Sequence, residues 1–207
     1  MQPIFNKLPK FVLYLFWAMV SVHVLAGILP HSISGIFIGK MVFIPLRFFN
    51  MENISHDWIA SVISPIGYSF LHSNFTHIFM NLSLFLPFGL VVAKTIGNNG
   101  FITLYTLGAI GGAYCSYSLN PTSSIPMVGA SASVSALVGF IVSSSVLGQR
   151  FIAPFDTPRN SLIFFAMWGV FNIIHPYFFA NNISWEAHLG GFAVGFVLSP
   201  IFFKTSI

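Results

Sequence analysis

Long apolar stretches, separated by short polar segments, dominate the pattern of residues along this chain. An α-helix needs about 20 consecutive apolar residues to cross a bilayer. Stretches close to that length occupy residues 11–29, 68–92, 101–119, 131–147, 162–179 and 187–203. The pattern therefore predicts an all-α membrane protein with six transmembrane helices. Because no internal repeat or low-complexity tract interrupts it, we expect residues 1–207 to form a single domain.

One connection is long, and it is unusually apolar for a loop. Between residues 30 and 67 the apolar positions include Ile36, Phe37, Met41, Phe43 and Phe48. A loop in water would not have this composition, so we expect a membrane-associated first loop that lies in the interface as an amphipathic or re-entrant element. Lys40 and Arg47 would then extend toward lipid headgroups. The alternative is that residues 35–45 are an additional core segment.

Composition supports a membrane protein and narrows the range of partners. Hydrophobic residues make up 56% of the chain and charged residues 6%, and the mean hydropathy is +0.84. A soluble domain carries about 25% charged residues, so the expected surroundings are the lipid bilayer. The isoelectric point near 9.4 comes from eight dispersed Lys and Arg residues. We therefore expect no nucleic-acid partner, and no pattern specifies an oligomeric state. Cys115 has no second cysteine to pair with, and we interpret it as a small buried hydrophobe.

The distribution of positive charge predicts the orientation in the membrane. If the N-terminus lies in the cytoplasm, six of the eight basic residues are cytoplasmic: Lys7, Lys10, Lys94, Arg150, Arg159 and Lys204. The outer segments contain Lys40 and Arg47. Cytoplasmic loops are generally enriched in Lys and Arg. We therefore expect an integral protein of a prokaryotic cytoplasmic (inner) membrane, with both termini on the cytoplasmic side.

His77 and Asn81 are polar residues near the start of the second apolar stretch. Their i, i+4 spacing places them on one face of a helix, about one turn apart, and His72 precedes His77 by five residues. An imidazole and an amide on one face can donate hydrogen bonds to a developing oxyanion. The alternative is that both side chains link helices through ordinary hydrogen bonds. Because no HExxH motif or nearby carboxylate accompanies them, we expect no metal site and no cofactor.

Ser131 follows a segment that cannot form a regular helix. Residues 120–129 contain two prolines and end at Gly129, and the fourth apolar stretch begins at Ser131. A serine beside a helix N-terminus has free backbone N–H groups nearby, which suit the stabilisation of an oxyanion. Its hydroxyl is a candidate nucleophile. The alternative is that Ser131 is a simple N-cap.

His188 lies at the start of the last apolar stretch and is followed by Gly191 and Gly195 in GxxxG spacing. That spacing allows one helix to press its backbone against another, and we assign Gly191, Gly195 and Gly129 to helix packing. A hydroxyl nucleophile and an imidazole base are the minimum apparatus for acyl transfer. No acidic residue lies within the predicted spans, so Ser131 and His188 would act as a dyad. The alternative is that His188 is a packing residue.

Three motifs occur in a defined order along the chain. They are HxxxxHxxxN at His72, His77 and Asn81, GxSx at Gly129 and Ser131, and AHxxGxxxG at Ala187, His188, Gly191 and Gly195. Together they resemble the motifs of the rhomboid family of intramembrane serine proteases. The resemblance extends from about His72 to Gly195 and therefore covers the second to the sixth predicted span.

The resemblance implies a rhomboid-like bundle of six helices and a Ser131–His188 dyad. It also implies an oxyanion pocket formed by His77, Asn81 and the backbone N–H of Ser131, above a water-filled cavity that is open to the outer face. The partners that the resemblance implies are transmembrane protein substrates. The expected cleavage takes place near the outer membrane boundary of the substrate and proceeds through an acyl-enzyme. We expect small or helix-breaking residues near that boundary, because a substrate helix must unwind before its carbonyl groups can be attacked.

Three features differ from the usual pattern of that family. The Trp-Arg pair that is usual in the first loop is not found near Ile63 and Ser64, which leaves the structural role of that loop open. The residue after the serine is often glycine, and here Ala132 is expected to crowd the turn slightly. An aromatic residue commonly stands four positions after the serine and packs on the histidine ring, and here that position is Ser135. Either another group orients His188, or its tautomer is less well fixed.

Two functions of other classes are the alternatives to proteolysis. A non-catalytic rhomboid-like protein would bind or escort membrane proteins with the same fold, although such relatives usually lack the serine or the histidine. A small transporter or channel would place polar or broken helices near the membrane midplane in repeated halves, and the sequence has no such symmetry.

Overall fold

The computed structural model describes residues 9–49, 57–149, 157–179 and 184–204. They form eight α-helices and one 3₁₀ turn, namely α1 (Lys10–Ile28), α2 (His31–Met41), α3 (Pro45–Phe49), α4 (Trp58–Gly67), the turn Tyr68–Phe70, α5 (Phe75–Leu119), α6 (Ser131–Val146), α7 (Pro158–Phe179) and α8 (Trp185–Lys204). Within these ranges the single extended contact is an antiparallel bridge between Phe43 and Met127. The prediction of an all-α chain is confirmed for this part of the protein.

The second and third predicted spans are joined in α5, which changes direction at Gly97. Gly97 has φ 74° and ψ 174°, a conformation that residues with a Cβ rarely adopt. The segments before and after it, residues 75–96 and 98–119, fold back beside each other, and the ring centroids of Phe85 and Phe101 lie 6.1 Å apart. These segments are the first and second arms of α5, and they correspond to the two predicted spans.

The first arm of α5 starts later than predicted. Residues 68–70 form the 3₁₀ turn, and the helix begins at Phe75 instead of residue 68. The side-chain oxygen of Asn74 accepts a hydrogen bond from the backbone N–H of His77 at 2.8 Å. This N-cap satisfies one of the free N–H groups of the first turn and sets the start of the helix. His77 therefore lies in the first turn of α5.

Two helices in the described ranges are long and apolar enough to cross a membrane. α1 has 19 residues and α5 has 45, and an 18-residue stretch of each has a mean hydropathy of 2.1 and 1.7, respectively. α6 is apolar but shorter, with 16 residues. Large apolar side chains such as Trp17, Val24 and Phe79 are exposed on the protein surface. Exposed apolar surface of this extent suits contact with lipid.

Small residues allow α5, α6 and α8 to pack with their backbones in contact. A Cβ at Gly191 of α8 would overlap the carbonyl oxygen of Ala132 on α6, and a Cβ at Gly195 would overlap that of Ala136. On the second arm of α5, a Cβ at Gly112 would overlap the methyl group of Ala132. Such close approach is typical of helices that associate in a membrane. It brings the N-terminal ends of α6 and α8 next to each other.

The first loop is helical and is attached to the segment before α6. Phe43 and Met127 exchange two backbone hydrogen bonds of 3.3 and 2.8 Å, and the N–H of Leu46 donates to the carbonyl oxygen of Ser123 at 3.0 Å. Phe43 is 2% exposed, whereas residues 35–41 of α2 are exposed or half-buried. The alternative of a core segment over residues 35–45 therefore fails for the part within α2, although Phe43 does belong to the core.

Lys40 and Arg47 have partners within the first loop. Lys40 Nζ lies 2.5 Å from the Asp57 carboxylate, and Arg47 Nη1 donates to the carbonyl oxygen of Gly39 at 2.8 Å. The hydrogen bond from Lys40 is the main reason that the pKa of Asp57 lies below its usual value. Both cations therefore help to hold the loop together, and the expectation that they extend toward lipid headgroups stays a prediction.

Candidate active site

Ser131 is the first residue of α6, and its side chain contacts α8. Its Oγ lies 2.7 Å from Nε2 of His188, although 57 positions separate the two residues. His188 belongs to the first turn of α8. Ala130 occupies the N-cap position of α6 and makes no side-chain capping bond, so the alternative of Ser131 as an N-cap is wrong. A hydroxyl hydrogen-bonded to an imidazole is the arrangement that a nucleophile and its base require.

The second ring nitrogen of His188 contacts a residue that the sequence analysis did not identify. His188 Nδ1 is hydrogen-bonded to Oδ1 of Asn172 on α7, and Asn172 Nδ2 donates to the carbonyl oxygen of Trp168 at 2.7 Å. Asn172 is an amide within an otherwise apolar run, residues 166–174. A polar side chain inside a membrane helix is a functional candidate by default, and this was the available signal.

His77 directs its donor nitrogen toward Gly129. Its Nδ1 accepts a hydrogen bond from the backbone N–H of Ser73 at 3.4 Å and lies 3.1 Å from Ser73 Oγ. Because Nδ1 is the acceptor, the ring proton belongs on Nε2. A Cβ built on Gly129 would lie 2.8 Å from that Nε2. The donor of His77 therefore faces the loop that leads into Ser131.

Asn81 lies one turn further along α5 and is 6% exposed. Its Nδ2 donates to the carbonyl oxygen of His77 at 3.0 Å, which uses one of its two N–H groups. A Cβ built on Gly129 would lie 3.8 Å from the same nitrogen. The ring of His72 packs edge-on against His77, with 5.2 Å between centroids. His77 and Asn81 thus share one face of α5 and have donor nitrogens near one point.

Gly129 does not lie in a helix, as a residue that packs two helices together would. It lies in the loop before α6 with φ 115°, a left-handed conformation that favours glycine. Its N–H donates to the carbonyl oxygen of Tyr68 at 2.9 Å. The missing side chain leaves space for the His77 ring and not for a neighbouring helix. The assignment of Gly129 to helix packing is therefore wrong, whereas Gly191 and Gly195 lie between α8 and α6.

The two residues after Ser131 that differ from the usual rhomboid pattern, Ala132 and Ser135, are accommodated locally. The methyl group of Ala132 points to α5, where Gly112 leaves room for it, so the expected crowding of the turn does not occur. Ser135 Oγ donates to the carbonyl oxygen of Ser131 at 2.8 Å. The hydroxyl of Ser135 is therefore engaged on its own helix.

Ser131, His188, His77 and Asn81 line one cavity of about 480 Å³. They belong to the first two turns of α5, α6 and α8, where the positive ends of the helix dipoles favour negative charge. Among the residues that the structure describes, no three His, Cys, Asp or Glu side chains are grouped to hold a metal ion. The cavity combines a hydroxyl, an imidazole and several N–H donors, which are the groups that acyl transfer requires.

A family model with the description "Rhomboid domain" matches residues 59–205, a range that includes all four of these residues. The chain belongs to the rhomboid family, and the resemblance inferred from its three motifs is confirmed. It is accordingly an integral membrane protein.

Two relatives show how far the similarity extends. Over 146 residues the chain is 29% identical to "Rhomboid protein 1, mitochondrial" of Saccharomyces cerevisiae, and the match covers 69% of this chain and 42% of that protein. Over 132 residues it is 26% identical to "Rhomboid protease GlpG" of Haemophilus influenzae, and the match covers 64% of this chain and 65% of that protein. The similarity spans less than two thirds of the length of either relative.

Proposed function

We propose that this chain is a serine endopeptidase that cleaves transmembrane helices inside the membrane, with Ser131 as nucleophile and His188 as general base. The observation that carries the proposal is the 2.7 Å contact between Ser131 Oγ and His188 Nε2, in a cavity that His77 and Asn81 also line. Membership of the rhomboid family supports it, and one of the relatives bears the name of a protease.

The attack step uses the hydrogen bond between the two side chains. As Ser131 Oγ attacks the carbonyl carbon of a peptide bond, its proton moves to Nε2 of His188. The carbonyl oxygen becomes an oxyanion, which is stabilised by preorganised donors. We assign this role to the backbone N–H of Ser131, Nδ2 of Asn81 and Nε2–H of His77, and the two side-chain donors lie near Gly129. The positive ends of the α5, α6 and α8 dipoles add to the stabilisation.

The tetrahedral intermediate then collapses and the C–N bond breaks. His188 gives its proton to the leaving amine, and the remaining acyl group is esterified to Ser131. A water molecule transfers a proton to His188 and attacks the ester, which releases the carboxyl product and restores the serine hydroxyl. Over the described residues no carboxylate lines the cavity, and the proposed mechanism uses a dyad.

Our proposal includes six helical segments that cross the membrane within a single domain, residues 1–207. The segments are α1, the two arms of α5, α6, α7 and α8. Burial of Val12 and Met19 of α1 in the same core as Phe85 of α5 and Leu137 of α6 supports one domain.

The proposed topology determines where substrates are cut. With both termini in the cytoplasm of a prokaryotic cell, α5, α6 and α8 begin on the outer side of the cytoplasmic membrane. Ser131 and His188 would therefore act near the outer membrane boundary, because both belong to first turns. A substrate helix has its carbonyl groups hydrogen-bonded internally, so it must unwind locally there before attack.

Cleavage of a model single-span substrate by the purified protein in liposomes tests the proposal. Ser131→Ala and His188→Ala are expected to abolish cleavage. Ser83→Ala and His31→Ala are matched controls, since both residues are exposed and neither lines the cavity, and they are expected to retain activity. Cleavage that persists in both Ser131→Ala and His188→Ala would overturn the proposal.

Labelling with a fluorophosphonate separates this function from that of a non-catalytic rhomboid-like protein. An activated Ser131 is expected to form a covalent adduct that Ser131→Ala does not form. A wild-type protein that binds single-span proteins but is neither labelled nor able to cleave them would support a binding or escort function instead.

A further inference from the structure

The hydrogen bond between Asn172 of α7 and His188 of α8 is a contact that the mechanism above does not use. Both residues line the cavity, and Asn172 approaches the ring nitrogen opposite to the one that faces Ser131. We infer that Asn172 is a positioning residue, which holds His188 in the tautomer and orientation that accept the proton of Ser131. The inference rests on the proposed function and extends it to a residue of α7.

The orientation of the Asn172 amide follows from its second partner. Nδ2 donates to the carbonyl oxygen of Trp168 at 2.7 Å. A carbonyl oxygen can only accept, so the amide nitrogen has to face Trp168 and Oδ1 has to face His188. The hydrogen-bond network thereby assigns the two amide atoms, which are otherwise easily interchanged.

An amide oxygen that faces Nδ1 determines which nitrogen of His188 carries the proton. Oδ1 of Asn172 has no hydrogen to donate, so a hydrogen bond between the two atoms requires a proton on Nδ1. Nε2 of the neutral ring is then unprotonated, and its lone pair accepts the hydroxyl hydrogen of Ser131. In the other tautomer, two acceptors would face each other at Nδ1, and Nε2–H would point at the nucleophile without being able to remove its proton.

Asn172 orients the ring of His188 without adding a charge. A carboxylate among apolar membrane side chains is expensive, whereas an amide is neutral and has both of its polar ends hydrogen-bonded here. When Nε2 takes the proton from Ser131, Oδ1 still accepts from Nδ1–H. The same hydrogen bond therefore serves both the neutral ring and the imidazolium.

An aromatic pair holds α7 against α8 beside this contact. The ring of Trp168, one turn before Asn172, stacks on Phe192, one turn after His188, with centroids 5.3 Å apart and planes at 22°. Phe165 also packs on Phe192, at 5.0 Å. Trp168 thus positions Asn172 in two ways. Its carbonyl oxygen orients the Asn172 amide, and its ring packs α7, which contains Asn172, against α8.

A hydrogen bond between helices can also serve folding alone, and the two roles lead to different measurements. If the bond serves folding alone, its removal lowers the unfolding temperature and leaves the reactivity of Ser131 in the folded protein unchanged. A positioning role requires that loss of the bond lowers kcat and the reactivity of Ser131, while KM stays nearly constant.

The test compares two substitutions of Asn172 in the full-length protein in liposomes. Asn172→Leu keeps the size and removes the acceptor, whereas Asn172→Asp keeps an acceptor oxygen. We expect Asn172→Leu to lower kcat and the rate of fluorophosphonate labelling by about 10–10²-fold, with KM changed by less than about twofold. Asn172→Asp is expected to be at least about tenfold more active than Asn172→Leu. Asn160→Leu, on the same helix and outside the cavity lining, is the matched control and should equal the wild type.

NMR of the ring nitrogens in the wild-type protein gives a readout that does not depend on the folding of any Asn172 variant. The signal of His188, identified by its loss in His188→Ala, is expected to show a proton on Nδ1 at neutral pH. A neutral ring protonated on Nε2 would overturn the inference, and so would a folded Asn172→Leu protein with wild-type kcat. A wild-type protein that neither cleaves nor is labelled would overturn the proposed function instead, so the two failures are distinguishable.

Discussion

The hydroxyl oxygen of Ser131 and Nε2 of His188 lie 2.7 Å apart at one end of the contact between α6 and α8. Gly191, one turn after His188, presses on the backbone of Ala132, the residue next to Ser131. Gly195 repeats this contact one turn further along the helix. The geometry of the candidate site therefore depends on two glycines that do not line the cavity.

Gly191→Ala is expected to separate the first turns of α6 and α8. Its Cβ would overlap the carbonyl oxygen of Ala132, and overpacking of this kind costs about 1–3 kcal/mol. A displacement of His188 by about 1 Å is expected to lower kcat by about 10²-fold. Thermal unfolding and cleavage assays measure both effects. Gly169→Ala on α7 is the control, because a Cβ there has nothing within 4 Å. Wild-type kcat in Gly191→Ala would show that the close contact is not needed.

Gly129→Ala is expected to impair chemistry as well as stability. The position has φ 115°, and the new methyl group would lie 2.8 Å from Nε2 of His77, one of the proposed oxyanion donors. We expect a strain cost of about 1–2 kcal/mol and a fall in kcat of about 10²-fold or more. Gly148→Ala is the control for backbone strain, because Gly148 has φ 85° and a Cβ there would have nothing within 4 Å. Equal losses of kcat in both variants would mean that strain alone explains the result.

Asn81→Ala is expected to remove one oxyanion donor. Loss of such a donor typically lowers kcat by about 10²–10³-fold, which corresponds to about 2.7–4 kcal/mol. KM should change little, because the oxyanion exists only in the transition state and the intermediates. Steady-state kinetics on a single-span substrate give both constants. Asn99→Ala, at an exposed position of α5, should behave as the wild type. A rise in KM without a change in kcat would argue against the oxyanion role.

The ion pair between Lys40 and Asp57 is expected to respond to pH in one direction. The pKa of Asp57 is below its usual value of 3.8, first because of the hydrogen bond from Lys40. The pair therefore stabilises the fold fully above that usual value and loses its effect as the pH falls through the lowered value. Lys40→Met should slightly lower the unfolding temperature near neutral pH and have no effect in strong acid. Measurements at low salt show this best, because salt screens exposed charges. A destabilisation that grows toward acid would contradict this assignment.

Local sequence patterns were sufficient to locate most helices and to name the candidate residues other than Asn172. α1, α6 and α8 begin within two residues of the predicted starts, because an apolar run and its flanking polar residues are features of neighbouring positions. The i, i+4 relation of His77 and Asn81 is likewise a property of one helix. These features depend on short-range geometry, so a single chain contains the information.

The contacts between helices required the three-dimensional arrangement. Asn172 becomes the partner of His188 only when α7 is rotated to face α8, and Gly129 faces His77 only when the loop before α6 passes over α5. Ala132 avoids crowding because Gly112, on another helix, leaves room for its methyl group. Each of these depends on how a helix is rotated about its axis and how closely its neighbour approaches. Both are set by the packing of residues far apart in the chain, which no local pattern specifies.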